Sequence, residues 1–244
     1  MKTKLFARLC AIGFAAIALE ANAIPVTFSG SSGSFAASVS FDLIGGQLKV
    51  VLTNTSAADV LVPTDVLTAV FFNIAGNPTL NRVSGISGGN TYLNGAVVNP
   101  AGTVVGGEWA YLNGLSQYSA NSGISSSGLG IFGPPDLFPG PNLSGPVSPA
   151  GLQYGLTSAG NIVTTGNAAV LGNELTKNFD TFWLDGLPLG FTLASISNVT
   201  FQYGTALDEG HFGGLNGNGI PEPSTIALLG LGLVGFAVAR RRRA

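Results

Sequence analysis

Residues 35–53 constrain the fold more than any other stretch of the chain. Phe35, Ala37, Val39, Phe41 and Leu43 alternate with small or polar residues up to Gly45-Gly46. Beyond that pair, Leu48, Val50 and Leu52 alternate with Gln47, Lys49 and Thr53. A period of two places every apolar side chain on one face of a pleated strand. Two such runs around Gly-Gly predict a β-hairpin with one face that must be covered. A third run, Val66 to Ile74, is almost continuously apolar, and its Val, Thr and paired Phe favour a central strand buried on both faces. Further strands are expected over 174–184 and 192–203, with Gly186-Leu187-Pro188 as a turn between them. In the last strand Val199, Phe201 and Tyr203 should face one way, and Thr200 and Gln202 the other.

The rest of the body is dense in turn formers. From 76 to 166 the chain is rich in Gly, Ser, Asn and Pro, with short apolar pieces such as 96–98, 103–105 and 108–111. Six prolines between 133 and 149 exclude regular structure there, and that stretch reads as a long surface loop. The expected fold is mainly β: an antiparallel β-sandwich or jelly-roll-like body with long Gly/Pro-rich loops, spanning 24–212. A Gly-rich linker is expected over 213–219.

The two ends have a different chemistry. Lys2, Lys4 and Arg8 precede an apolar run from Leu9 to Leu19, and Ala21-Asn22-Ala23 supplies a small-x-small cleavage site. Residues 1–23 therefore read as a secretory signal peptide, with Ile24 as the mature N-terminus. At the other end, 220–244 holds Pro221-Glu222-Pro223, an uncharged stretch 224–239, and Arg240, Arg241, Arg242 and Arg243. As a helix the stretch would be about 24 Å long, against a hydrocarbon core of about 30 Å. It is expected to form a short C-terminal transmembrane helix, with the arginines as a cytoplasmic stop.

Once the ends are set aside, charge excludes a large class of partners. Between 24 and 219 only Lys49, Arg82 and Lys177 are basic, against ten acidic residues, a formal charge of about −7. Nucleic-acid binding needs clustered Lys and Arg, so no nucleic-acid partner is expected. The only cysteine, Cys10, lies in the leader. The body therefore has no disulfide and relies on core burial and hydrogen bonds.

The C-terminal residues carry a resemblance. Pro221-Glu222-Pro223, the Gly/Leu-rich 227–233 and the arginine cluster resemble the PEP-CTERM sorting signal of Gram-negative surface proteins. Tails of this kind also go under the name of an ice-binding protein C-terminal domain, although the tail alone implies no ice binding. The resemblance implies an exosortase partner, a membrane-embedded enzyme thought to use a cysteine nucleophile. It implies transient insertion in the inner membrane, processing near Pro-Glu-Pro, and release to the cell surface or extracellular matrix. The phrases at 39–43, 52–56, 65–72 and 197–204 look like bodies often found ahead of such tails, grouped as exosortase-dependent surface proteins.

Motifs that would carry chemistry are weak. Gly85-Ile86-Ser87-Gly88-Gly89 fits G-x-S-x-G, but poor helix formers follow it, and a triad would need His211, the only histidine. It reads as a chance match. Two G-x-G-x-x-G matches, at 128–133 and 230–235, lack the strand-to-helix context of a dinucleotide site. Asp180 with Asp185, or Asp208 with Glu209, could ligate calcium, yet no D-x-D-x-D-G spacing exists, so no metal or cofactor is expected. Trp109, Tyr111, Tyr118 and Trp183 could form a sugar-stacking face; core anchoring of Trp109 and Trp183 is the favoured reading. Thr164-Thr165 and scattered threonines make no ice-binding array. Asn54, Asn142 and Asn198 begin N-x-S/T triplets that read as chance. The expected function is a non-enzymatic structural or adhesive surface protein. The alternative is an exopolysaccharide-binding module, and the third reading is a hydrolase.

Overall fold

A computed structural model of the chain describes residues 24–133, 142–143 and 151–217. The leader with Ala21 and Ala23, most of the proline-rich loop, the sorting triplet 221–223, the expected helix 224–239 and the arginines 240–243 lie outside the described residues. Among the described residues no helix is long and apolar enough to cross a membrane.

The described chain is mainly β. In order, its strands are β1 (Val26–Ser32), β2 (Phe35–Ile44), β3 (Gln47–Asn54), β4 (Leu67–Ile74), β5 (Asn81–Ser87), β6 (Thr91–Leu93), β7 (Ala96–Asn99), β8 (Ala110–Asn113), β9 (Ser122–Ser125), β10 (Leu156–Thr157), β11 (Leu175–Lys177), β12 (Phe179–Asp185), β13 (Ile196–Tyr203), β14 (His211–Gly213) and β15 (Leu215–Asn216). A four-residue helix α1 (Ala168–Leu171) is capped by Asn167, whose side chain accepts from Val170 N at 3.0 Å.

The strands form two sheets. The first has the order β15-β1-β2-β3-β12-β5 and is antiparallel throughout. The second has the order β14-β13-β4-β10-β11-β6-β7, with β9 pairing β4 and β8 pairing β9. It is mixed, because β10 and β11 run parallel. The expected hairpin is β2–β3, in register from Ala37↔Asn54 to Ile44↔Gln47. Its inward residues Val39, Phe41, Leu48, Val50 and Leu52 are fully buried. They join Leu67, Val70, Phe72, Phe201 and Tyr203 of the second sheet in one apolar cluster. Phe41 meets Phe72 edge to face, with centroids 5.1 Å apart.

Three expectations change. The single strand over 174–184 is two strands in different sheets, β11 and β12. They part at Asn178, whose φ of 80° is the left-handed turn Asn tolerates better than most residues. The strand over 192–203 starts at Ile196, after a turn at Leu193–Ser195. Thr200 and Gln202 on its other face are buried as well, Gln202 accepting from the Tyr118 hydroxyl. Within 76–166 the chain forms the short strands β5 to β10, with β7 and β8 on the apolar pieces 96–98 and 108–111. The linker expected over 213–219 is paired through Gly217, with β14 on β13 and β15 on β1. Glycine serves there for close approach rather than for freedom. A side chain at Gly214 would press on Phe201, Val199 and Phe28, and one at Gly30 would strike the Gly213 carbonyl.

Candidate functional site

The side chains that sequence motifs single out are not brought together. Ser87 ends β5, is buried, and accepts a hydrogen bond from Thr103 N at 3.0 Å. His211 begins β14 at the edge of the other sheet, exposed, stacked on Tyr118 with centroids 4.6 Å apart. Its Nδ1 lies 3.1 Å from the Glu209 carbonyl. The glycines of G-x-S-x-G have a packing role instead. The chain passes from the first sheet to the second at Gly88-Gly89, where a side chain would collide with the Phe179 ring or the Lys177 carbonyl.

The candidate carboxylates separate in the same way. Along β12, Asp180, Phe182 and Leu184 point inward, while Phe179, Thr181, Trp183 and Asp185 point outward. Asp180 and Asp185 therefore lie on opposite faces. Asp185 accepts from Asn81 Nδ2 at 2.7 Å. Glu209 closes a turn by accepting from Thr205 N at 2.5 Å and Ala206 N at 3.1 Å. Among the described residues no group of three or more His, Cys, Asp and Glu side chains is placed to hold a metal ion. A hollow of about 260 Å³ beside Phe35, Ser56, Asp59 and Asp65 has its acids engaged. Asp65 accepts from Leu61 N and Val62 N, and Asp59 from Ile162 N. Thr165 Oγ1 donates to Ile162 O, an isolated turn bond rather than part of an array. Asn54 is buried and donates to Leu156 O at 2.9 Å, so it is no glycan acceptor in the folded body.

Two arrangements remain with chemical content. The first is a polar seam between the sheets. Asp180 is wholly buried, and burial pushes its carboxyl well above the usual range. The Thr176 hydroxyl, the Trp109 indole N–H and the Gly88 N–H face it and pull back the other way, although none meets hydrogen-bond geometry with it. A buried carboxyl without a cation holds its proton. The protonated acid can donate to Thr176 and accept from Trp109. Nearby, Glu174 accepts from the Thr91 hydroxyl and from Asn99 Nδ2. Burial, and after it the charge of Glu174 and its hydrogen bond, push the Tyr154 phenol up to about 12. Sequence reasoning missed this seam, yet a signal exists. Asp180 shares the parity of Phe182 and Leu184, which places a carboxylate on the core side of its strand.

The second arrangement is the outward face of the first sheet. Trp109 is fully buried against Phe182, with centroids 4.8 Å apart, and Tyr111 is buried too. Trp183 is not a core anchor. Its parity turns it outward, half-buried, with Lys49 Nζ 5.8 Å from the ring centre. Register places Lys49 on one side of it and Ser84 on the other. Ser38, Ser40, Thr53 and Thr181 share that face, all half-buried. Tyr118 lies apart, bonded to Gln202 Oε1 at 2.7 Å, so the four aromatics do not form one stacking surface.

The body's C-terminal exit completes the geometry. Gly217 N donates to Thr27 O at 2.8 Å, and the chain leaves the described structure from that rung. Just beyond it, residues 219–243 match the PEP-CTERM protein-sorting motif. No curated protein and no solved structure matches the chain. The chain carries a PEP-CTERM motif at its C-terminus, which implies export and exosortase-dependent sorting to the cell surface.

Proposed function

We propose that this is a non-enzymatic surface or matrix protein of a Gram-negative bacterium, with a structural or adhesive role. Its leader, 1–23, is cleaved after Ala23, and its body stands in the inner membrane transiently through 224–239. Exosortase acts near Pro221-Glu222-Pro223 while Arg240, Arg241, Arg242 and Arg243 hold the end in the cytoplasm. The observation that carries this reading is the motif at 219–243, set behind an acidic body with few cations. In architecture we infer a β-sandwich, since inward residues of both sheets form one cluster. The test replaces Pro221, Glu222 and Pro223 with alanine and follows precursor size and surface release. Retention of the unprocessed form is expected; normal processing and release would overturn the sorting assignment.

The second reading is an exopolysaccharide-binding module, and Trp183 is what favours it. A half-exposed indole among Ser and Thr hydroxyls and one lysine suits the apolar face and hydroxyl rim of a sugar ring. A glycan array probed with residues 24–217, wild type against Trp183→Ala, tests it. Signals that vanish with Trp183 support this reading, and an array blank for both discards it.

A further inference from the structure

The stretch between the body and the sorting triplet is short. The last rung of the first sheet is Gly217 N to Thr27 O. Only residues 218–220 then precede Pro221. Three residues span at most about 11 Å. A body of this size has a radius of gyration of about 16 Å. With β15 paired to β1, the triplet is tethered within that reach of the body.

β15 is also the least anchored strand of its sheet. It has two residues, Leu215 is 79% exposed, and Asn216 is exposed. β14 before it is held differently: Phe212 packs on Phe201 and Tyr203, with centroids 5.6 and 5.8 Å apart. Between the two strands lies Gly214, where the chain crosses from one sheet to the other. A strand end with few apolar contacts opens at the low end of local stability. Releasing β15 as far as Gly214 would leave six residues ahead of the triplet, a reach of about 21 Å.

We propose that β15 is a latch: it lies on β1 in the folded body and must leave it for the processing enzyme to engage the sorting triplet. This rests on the sorting reading given above. The partner is the membrane-embedded processing enzyme, and release of 215–217 supplies the reach that carries Pro221-Glu222-Pro223 clear of the body. β1 begins two residues after Ile24, the expected mature N-terminus. The leader junction and the latch therefore share one edge of the body, which accommodates a precursor inserted at both ends.

The body's lack of cysteine makes the test clean. Ser29 and Leu215 are direct partners in the ladder, both exposed, and paired strand positions are about 5.5 Å apart, within disulfide range. The full-length precursor carrying Ser29→Cys and Leu215→Cys is expressed in cells that sort it, and processing is followed by pulse-chase. Once oxidised, the double variant should be processed at least fivefold more slowly. Each single variant and the reduced double variant should match wild type. A six-residue Gly/Ser insertion after Gly217 should restore processing of the oxidised form, because it supplies the missing reach. Wild-type processing of the oxidised form overturns the latch, and so does arrest that the insertion fails to relieve. The triple alanine variant at 221–223 separates the two ideas. If it is processed normally, the sorting reading fails and takes the latch with it. If it is arrested while the locked form is not, only the latch fails.

Discussion

The two sheets solve the problem of covering their faces differently. The first sheet buries one face and leaves the other half-exposed, so β3, β12 and the middle of β2 (Ala36–Asp42) alternate between buried and half-buried residues. The second sheet is covered on both faces around β4. Phe72 points into the shared core, and its neighbour Phe71 points the other way into a second cluster with Ala69, Ala110, Leu129 and Phe132. Phe71 meets Tyr118 edge to face at 5.3 Å and Phe132 at 5.9 Å. Leu115, Tyr118, Leu129, Phe132 and Leu207, from segments between strands, thus supply a second, thinner layer. A sheet with an open face is written as alternation; a sheet with two covered faces is written as a continuous apolar run plus remote pieces that cover it.

The largest expected effect breaks or confirms that contrast directly. Phe72→Ala removes a ring from the shared core and should cost about 3–5 kcal/mol. Phe71→Ala should cost about 3 kcal/mol, toward the lower end because the thinner cluster can collapse around it. An outward substitution on the first sheet, Val51→Ala, should cost about 1 kcal/mol or less, because solvent already reaches that face. Urea unfolding of the three variants measures the series. A Phe71→Ala cost near that of Val51→Ala would mean that the second sheet has only one structural face.

The seam between the sheets gives the next effect. Asp180→Ala should lose about 1–3 kcal/mol, since it leaves the Trp109 N–H and the Thr176 hydroxyl with no polar group to face. Asp180→Asn keeps the shape and both bonding roles, and should be at least as stable as wild type at pH 7. The sign follows from the raised carboxyl. The unfolded chain loses this proton as pH rises past 3.8, while the folded chain keeps it. Stability therefore falls as pH rises from there until the folded group also ionises. The advantage of Asp180→Asn over wild type should widen between pH 4 and pH 7. Thermal melts across that range would refute the seam if the gap stayed constant.

Legibility followed the same division. The hairpin 35–54 and the central strand 67–74 could be read because each residue's parity or apolarity reports its own surroundings. The switches between sheets could not. Residues 174–184 are apolar enough to pass for one strand, and only the turn at Asn178 divides them. The tract 213–217 reads as linker by composition, since glycine signals freedom and close approach alike. Gly85 to Gly89 fits the G-x-S-x-G pattern by chance, and composition does not show that it is a strand end and a crossing. Trp183 and Trp109 sit in similar local sequence, yet the parity of β12 turns one out while the other, just ahead of β8, packs on Phe182. The sorting signal was the most legible feature because its reader is an enzyme recognising linear sequence, with no folded surface required.

The smallest expected effect concerns the bridge that ties the end of β13 to the first sheet. Tyr203 is fully buried, stacks on Phe35 at 4.5 Å, and its hydroxyl donates to Ala36 O at 2.9 Å. Tyr203→Phe keeps the ring and removes that bond between sheets, so the loss should be about 1 kcal/mol. Burial pushes the phenol up to about 12, from 10.0 when exposed. The folded value is the higher one, so this contribution is fully present below pH 10 and is lost as pH rises toward 12. Wild type should therefore lose stability over that interval by on the order of 2 kcal/mol more than Tyr203→Phe does. Alkaline unfolding curves of the pair, compared between pH 9 and pH 12, read that difference. Parallel curves would show that the phenol is wetter than its packing indicates, and that the two sheets are tied at this end by apolar contact alone.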